Sequence, residues 1–222
     1  MSKKSNPFIV IEALDAGGSQ TQTDRLVARL KLAHHDVLTL HFPDEHRATG
    51  QIIYHKFLLE SNKQNFSKRE QALLFIQDFF SRQEDIKAHL AGDQKRVVVS
   101  DRFCTSTMAY QTIGLSGQER ERMLKWITWL CWQGTPQLPK PDAVVFIDTP
   151  VEVSLQRLRS ATKDYFENQD KLTAIRNSYL RLAKEQNWHI LSGVDEQGQE
   201  RTRQDLGNEI WHVVQPIITS RQ

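Results

Sequence analysis

Short apolar runs alternate with longer stretches in which apolar residues return every three or four positions, and this alternation organises all 222 residues. The runs lie at 8–11, 37–40, 97–99, 144–147 and 189–191 and are rich in Val, Ile and Leu. Stretches of helical period fill 19–33, 48–61, 67–91, 103–113, 117–133, 151–160, 165–187 and 200–215. Strands alternating with helices predict crossover units and a parallel sheet. Runs that are apolar on both faces predict a sheet covered on both sides. The expectation is an α/β fold with a five-stranded parallel sheet flanked by helices. No repeat, low-complexity tract or linker interrupts the pattern, so residues 1–222 are expected to form a single domain. Pro136, Pro139 and Pro141 end one helical stretch and lead into the fourth strand.

Open parallel sheets bind ligands beyond the carboxyl ends of their strands. That rule places Asp15, Phe42 with Pro43, Asp101 with Arg102, and Asp148 around one crevice, each just past a strand. The segment from Phe8 to Gln22 reads as an apolar strand, a turn of small residues and the start of a helix. Such a turn lets backbone N–H groups approach phosphate, and a helix N-terminus favours anions. The phosphate-loop signature is a glycine, four residues, then Gly-Lys-Ser/Thr. Here Ala13 takes the first glycine position, Ser19 the lysine and Gln20 the hydroxyl residue. A strand-to-helix turn without a ligand has the same outline, so the loop alone leaves both possibilities open.

Four further segments carry chemistry. Asp101 and Arg102 follow the third strand, where an acid can hold Mg²⁺ through water and an arginine can fork onto phosphate oxygens. A surface pair capping the next helix is the plainer alternative. The helix after them carries Thr105, Ser106, Thr107, Tyr110 and Gln111, polar groups suited to a base or sugar and equally to helix capping. Phe75 lies in an apolar helical stripe, either as core or as a stacking surface for a base. The polar, basic stretch at about 157–168 has the character of a lid over phosphates, or of a solvated loop.

Composition adds limits. A formal net charge of +2 is too balanced to point to nucleic acid or a membrane surface. Cys104 and Cys131 lack metal-ligand spacing and are expected to be buried free thiols, which suits a reducing compartment. The polar N-terminus lacks the apolar core of a signal peptide, and no run approaches the ~18 apolar residues of a membrane span. A cytoplasmic protein is therefore expected. The helix bearing Met123, Trp126, Ile127, Trp129, Leu130 and Trp132 is expected in the core or, in part, at an interface.

Taken in order, these residues resemble the thymidylate kinases, over nearly the whole chain from Phe8 to about Ile217. Glu12 to Gln22 is similar to the family's Glu-Gly-x-Asp-Gly-x-Gly-Lys-Thr/Ser-Thr-Gln. Phe42, Pro43, Gly50 and Leu58 resemble its monophosphate loop, and Leu73-Leu74-Phe75 its base-stacking helix. Asp101-Arg102-Phe103 with Ser106, Ala109, Tyr110 and Gln111 resembles Asp-Arg-Tyr-x-x-Ser-x-x-Ala-Tyr-Gln, the most specific of the blocks. Pro141, Asp142, Asp148 and Arg157 resemble its fourth strand and following helix, and Asp164 to Glu167 its lid motif Asp-Arg-x-Glu.

The resemblance implies a three-layer phosphate-loop nucleoside monophosphate kinase fold and transfer of the γ-phosphoryl of ATP to dTMP with Mg²⁺, in a homodimer. It implies that Ala13, Leu14, Asp15, Ala16, Gly17, Gly18, Ser19, Gln20, Thr21 and Arg157 surround ATP. It implies that Asp15, Phe42, Pro43, Phe75, Arg102, Ser106, Tyr110 and Gln111 surround dTMP. Asp101, Arg102 and Asp15 match the catalytic positions, with Asp101 nearest the metal. Ser19 departs from the loop lysine, Tyr165 from the lid arginine, and Phe79 from an arginine that often reaches the base. Losing one charge donor aimed at developing charge typically costs about 3–4 kcal/mol, a factor of 10²–10³ in rate. Arg47, Arg159 or Lys163 are candidates to replace it. Two other readings follow from the departures: a weak or inactive nucleotide-binding relative, and a kinase for another monophosphate such as dUMP.

Overall fold

The computed structural model describes residues 5–59, 66–92, 95–158 and 168–221. Five strands form one parallel sheet: β1 (Phe8–Ala13), β2 (Asp36–His41), β3 (Arg96–Asp101), β4 (Ala143–Asp148) and β5 (His189–Ser192), in the order β2-β3-β1-β4-β5. Strand β1 sits at the centre and pairs with β3 from Phe8↔Val98 and with β4 from Ile9↔Ala143. The alternation within β1 decides the layers. Ile9 and Ile11 pack with α1 (Ser19–Leu32) and α9 (Arg203–Thr219) through Leu26, Leu30, Ile210 and Val214. Phe8 and Val10 pack on the other face with α3 (Lys68–Ser81), α5 (Cys104–Gln111), α6 (Gly117–Trp132) and α8 (Gln169–Glu185). All six residues of β1 are buried, as the run of apolar residues predicts. Cys104 and Cys131 are buried free thiols.

Two helices depart from the periodicity. The expected helix 67–91 is broken at Arg82, leaving α3 and α4 (Gln83–Ala91). No glycine or proline marks the break; Arg82 instead pairs with Asp44 at 3.2 Å and Asp85 at 3.2 Å. The expected helix 48–61 begins as α2 (Ala48–Gln51) and widens over Ile52–Leu58, where the Leu59 N–H bonds back to the Tyr54 carbonyl, five residues earlier. Its last two positions, and the lid residues 159–167, lie outside the described residues. Helix α7 (Val151–Leu158) ends where the segment expected as a lid begins.

Candidate active site

The carboxyl ends of β1, β2 and β3 open into a crevice with two compartments. One is lined by the loop from Leu14 to Gln22 together with Asp101, Arg102, Thr149 and Arg157. The loop is shaped by close backbone approach. Gly17 donates to the Leu14 carbonyl at 2.8 Å, and a Cβ on Gly17 would meet that same oxygen at 2.8 Å. Gly18 precedes α1 at φ 104°, a conformation that suits glycine, and no side chain caps the helix. The first N–H groups of α1 have no intrahelical acceptor, and the residues that carry them line the compartment. Thr149 donates its hydroxyl to the Gly17 carbonyl at 2.8 Å and so ties the loop to β4.

The second compartment lies between α3 and α5. It is lined by Phe42, Pro43, Leu58, Phe75, Phe79, Ser106, Thr107, Tyr110 and Gln111, with Asp15 and Arg102 at its mouth. The mouth is a charged triad: Arg102 donates to Asp15 at 2.6 Å and to Tyr110 Oη at 3.2 Å, and Tyr110 donates to Asp15 at 3.0 Å. Arg102 holds a left-handed backbone at φ 65° while its N–H binds the Ile11 carbonyl at 3.0 Å, which fixes the side chain over β1. Burial works against its charge, but Tyr110 and Asp15, followed by Tyr179 and Asp101, more than offset this and hold the guanidinium well above its ordinary value. Deeper in, the walls are apolar. Two buried polar atoms there, Thr107 Oγ1 and Gln111 Nε2, have no hydrogen-bond partner. An apolar slot whose lining includes Thr107 and Gln111, each with a buried polar atom unpartnered among the described residues, suits a flat heterocycle with polar edges.

Behind the triad, Glu12 is completely buried beneath α5. It accepts from the Phe103 N–H at 3.2 Å, Thr105 Oγ1 at 2.5 Å, Ser106 Oγ at 2.5 Å and Tyr179 Oη at 2.8 Å. Burial raises its pKa against the opposing pull of Arg102 and the three hydroxyls. The hydroxyl-rich start of α5 is thus spent largely on Glu12. Ser106 lines the cavity, but its proton points to that carboxylate.

The expected site residues fall as follows. Asp15, Ala16, Gly17, Gly18, Ser19, Gln20, Thr21, Asp101, Arg102 and Arg157 line the loop compartment, with Leu14. Ala13 does not reach the crevice; it ends β1, fully buried, under Gly17. Phe75, Phe42, Pro43, Tyr110 and Gln111 line the second compartment. Phe79 is 1% exposed, packed edge-on against Phe42 at 4.9 Å, so it supplies apolar wall in place of a cation. Asp148 is drawn out of the expected set: Arg176 grips it at 2.6 and 2.9 Å. Arg47 lies away from the loop in a pair with Asp85 at 2.8 Å. Arg159, Lys163 and Tyr165 lie outside the described residues.

Four participants were not singled out from the sequence. His41, at the end of β2, binds Asp101 at 2.8 Å through Nδ1. Thr107 was noted only as one of several hydroxyls, yet its neighbour Ser106 is in the same motif and one turn of α5 separates it from Gln111. Tyr179 and Glu200 act from late helical and loop segments whose position against β1 no local pattern announces.

Known proteins match this chain along most of its length. The sequence model for thymidylate kinase matches residues 11–204. A thymidylate kinase of Thermosipho africanus is 32% identical over 194 residues, 84% of this chain and 89% of that protein. One from Desulforudis audaxviator is 30% identical over 222 aligned residues, 98% of this chain and 94% of its own length. The solved thymidylate kinase of Candida albicans superposes with a TM-score of 0.75 at 21% identity, covering 98% of this chain and 94% of that one, a likeness of fold.

Proposed function

The chain belongs to the thymidylate kinase family, and on that premise we infer that it transfers the γ-phosphoryl group of ATP to dTMP, giving dTDP and ADP. The observation that carries this assignment is the two-compartment crevice, in which an uncapped helix N-terminus and an apolar, aromatic-walled slot meet at Asp15 and Arg102. In the mechanism we propose, the backbone N–H groups of residues 16–21 hold the ATP phosphates. Arg102, oriented by Asp15 and Tyr110, holds the acceptor phosphate in line. Phe75 flanks the pyrimidine, and Gln111 and Thr107 offer their unpaired atoms to its edge. The acceptor phosphate is already anionic, so no general base is required. Catalysis then consists of positioning and charge stabilisation.

Asp101 fits a Mg²⁺ ion. Its Oδ1 is buried without a hydrogen-bond partner while Oδ2 is anchored by His41. Gln20, which stands at the hydroxyl position, carries an amide oxygen, also a ligand type for hard cations. The ion supplies positive charge against the phosphate oxygens when bound. We further propose a cytoplasmic homodimer. No described helix is long and apolar enough to cross a membrane. Leu73 on α3 and Trp129 on α6 are 47% and 54% exposed, a surface suited to a partner helix.

The acceptor is tested by thermal shift with dTMP, dUMP, dCMP and dGMP. A true acceptor at 100 times its dissociation constant stabilises by about 2.7 kcal/mol. The largest shift is expected for dTMP. A larger shift for dUMP would move the assignment to another monophosphate. The absence of a cation at Phe79 is the observation that keeps that comparison necessary.

A further inference from the structure

We propose that Arg157 supplies the charge missing from the phosphate loop, acting on the ATP phosphates in place of a loop lysine, a role that rests on the kinase assignment above. Ser19, the residue at the lysine position, is 7% exposed and offers a hydroxyl only. Among the described residues, five basic side chains line the loop compartment: His41, Arg102, Arg157, Arg201 and Arg203. Arg102 is committed to Asp15 and Tyr110 on the acceptor side, and His41 to Asp101. Arg201 donates to Glu209 and to the Ser192 carbonyl. Arg203 lies at the start of α9, where its carbonyl accepts from Gln22 at 3.0 Å. Among the described residues, Arg157 is the guanidinium that bonds to the backbone of the loop. Its Nη1 donates to the Ala16 carbonyl at 2.9 Å and stands 3.7 Å from where a Cβ on Gly18 would lie. Gly18 immediately precedes the lysine position, so the charge is already beside the place a lysine would serve.

Arg157 also pairs with Glu200 at 2.6 Å, with the two side chains 39% and 46% exposed. Solvent-accessible pairs of this kind contribute little, and a triphosphate presents several oxygens to the planar guanidinium fork. Glu200 thus holds Arg157 over the loop, and ATP draws the guanidinium onto its phosphates. Arginine at this place also explains how a loop with no lysine is retained beside an intact acceptor block.

The test is a set of variants: Arg157→Ala, Ser19→Lys, their double variant, Glu200→Gln, the Arg157→Ala/Glu200→Gln double variant, and Arg203→Ala as a control. Circular dichroism checks the fold of each. Turnover is followed by ADP release, and binding of MgATP and of AMP by calorimetry with dTMP present. Arg157→Ala should lower kcat by about 10²–10³ in the natural sequence and only a few-fold when Ser19→Lys is present. It should weaken MgATP far more than AMP, which a contact with the adenine base alone would not do. Glu200→Gln should tighten MgATP several-fold, and only while Arg157 is in place. Equal losses for ATP and AMP, or the same loss of kcat in both backgrounds, would overturn the proposal, as would a larger effect of Arg203→Ala. If the natural chain shows no turnover, the kinase assignment fails. The proposal is then judged by the ATP-to-AMP ratio and by Glu200→Gln, with the same expected and overturning results.

Discussion

Gly50 marks how tightly single residues constrain the acceptor site. A Cβ there would lie 2.1 Å from the Asp44 carbonyl oxygen, backbone against backbone, with no flexible side chain to yield. Gly50→Ala should therefore destabilise by about 1–3 kcal/mol, read from chemical denaturation, and raise the KM for dTMP because the displaced segment carries Phe42 and Pro43. Glu12 gives a pH-dependent test at the same scale. Burial lifts its carboxyl above the ordinary 4.5, so the folded chain holds that proton more tightly than the unfolded chain. Its contribution to stability is complete below about pH 4.5 and is lost as pH rises through the raised value. Measured against Glu12→Gln, which cannot titrate, the natural protein should lose unfolding free energy over that rise. A difference that is flat or grows with pH would contradict the assigned environment.

At the level of elements, α3 works as a brace. Asp78 accepts from the Asp44 N–H at 2.8 Å and from Thr49 Oγ1 at 2.6 Å, so one carboxylate on α3 pins both ends of the segment after β2. Asp78→Ala leaves a buried N–H unpaired, a cost of about 1–3 kcal/mol. The KM for dTMP should rise more than the KM for ATP; equal changes would show that the brace does not act on the acceptor side alone. Elements also show what was legible in the sequence. The five strands and most of the helices between them follow from periodicity, because strands covered on both faces, such as β1, β3 and β4, carry near-continuous apolar runs, while the edge strands β2 and β5 keep shorter ones. The break at Arg82 does not, since one of its partners, Asp44, comes from the segment after β2, and only Asp85 is a local neighbour. The same holds for Glu12, a charged residue in an apolar run. Its acceptance in the core depends on three hydroxyls and an N–H, and Tyr179 comes from 167 residues away. Motif spacing pointed to Asp15, Arg102 and Tyr110, because Asp15 and Arg102 follow adjacent strands and Tyr110 lies on the helix that begins just after Arg102. It missed Glu200 and placed Asp148 wrongly, because their partners, Arg157 on α7 and Arg176 on α8, are brought to them by the fold.

For the whole molecule, the layers set where both substrates and a second subunit would meet this chain. The sheet's carboxyl edge faces the crevice, while α3 and α6 carry Leu73 and Trp129 on the outside. Sedimentation should give about twice the chain mass of 25.8 kDa, and Trp129→Glu should shift the protein toward the monomer. A natural protein that sediments as a monomer would remove the dimer from the account. The central claim is phosphoryl transfer from a loop without its lysine. It is tested most directly by ³¹P NMR of the natural protein with ATP, Mg²⁺ and dTMP, beside Ser19→Lys and a protein-free blank. The account predicts growth of dTDP and ADP signals from the natural sequence above the blank. No product from the natural sequence, with or without product from Ser19→Lys, would contradict it.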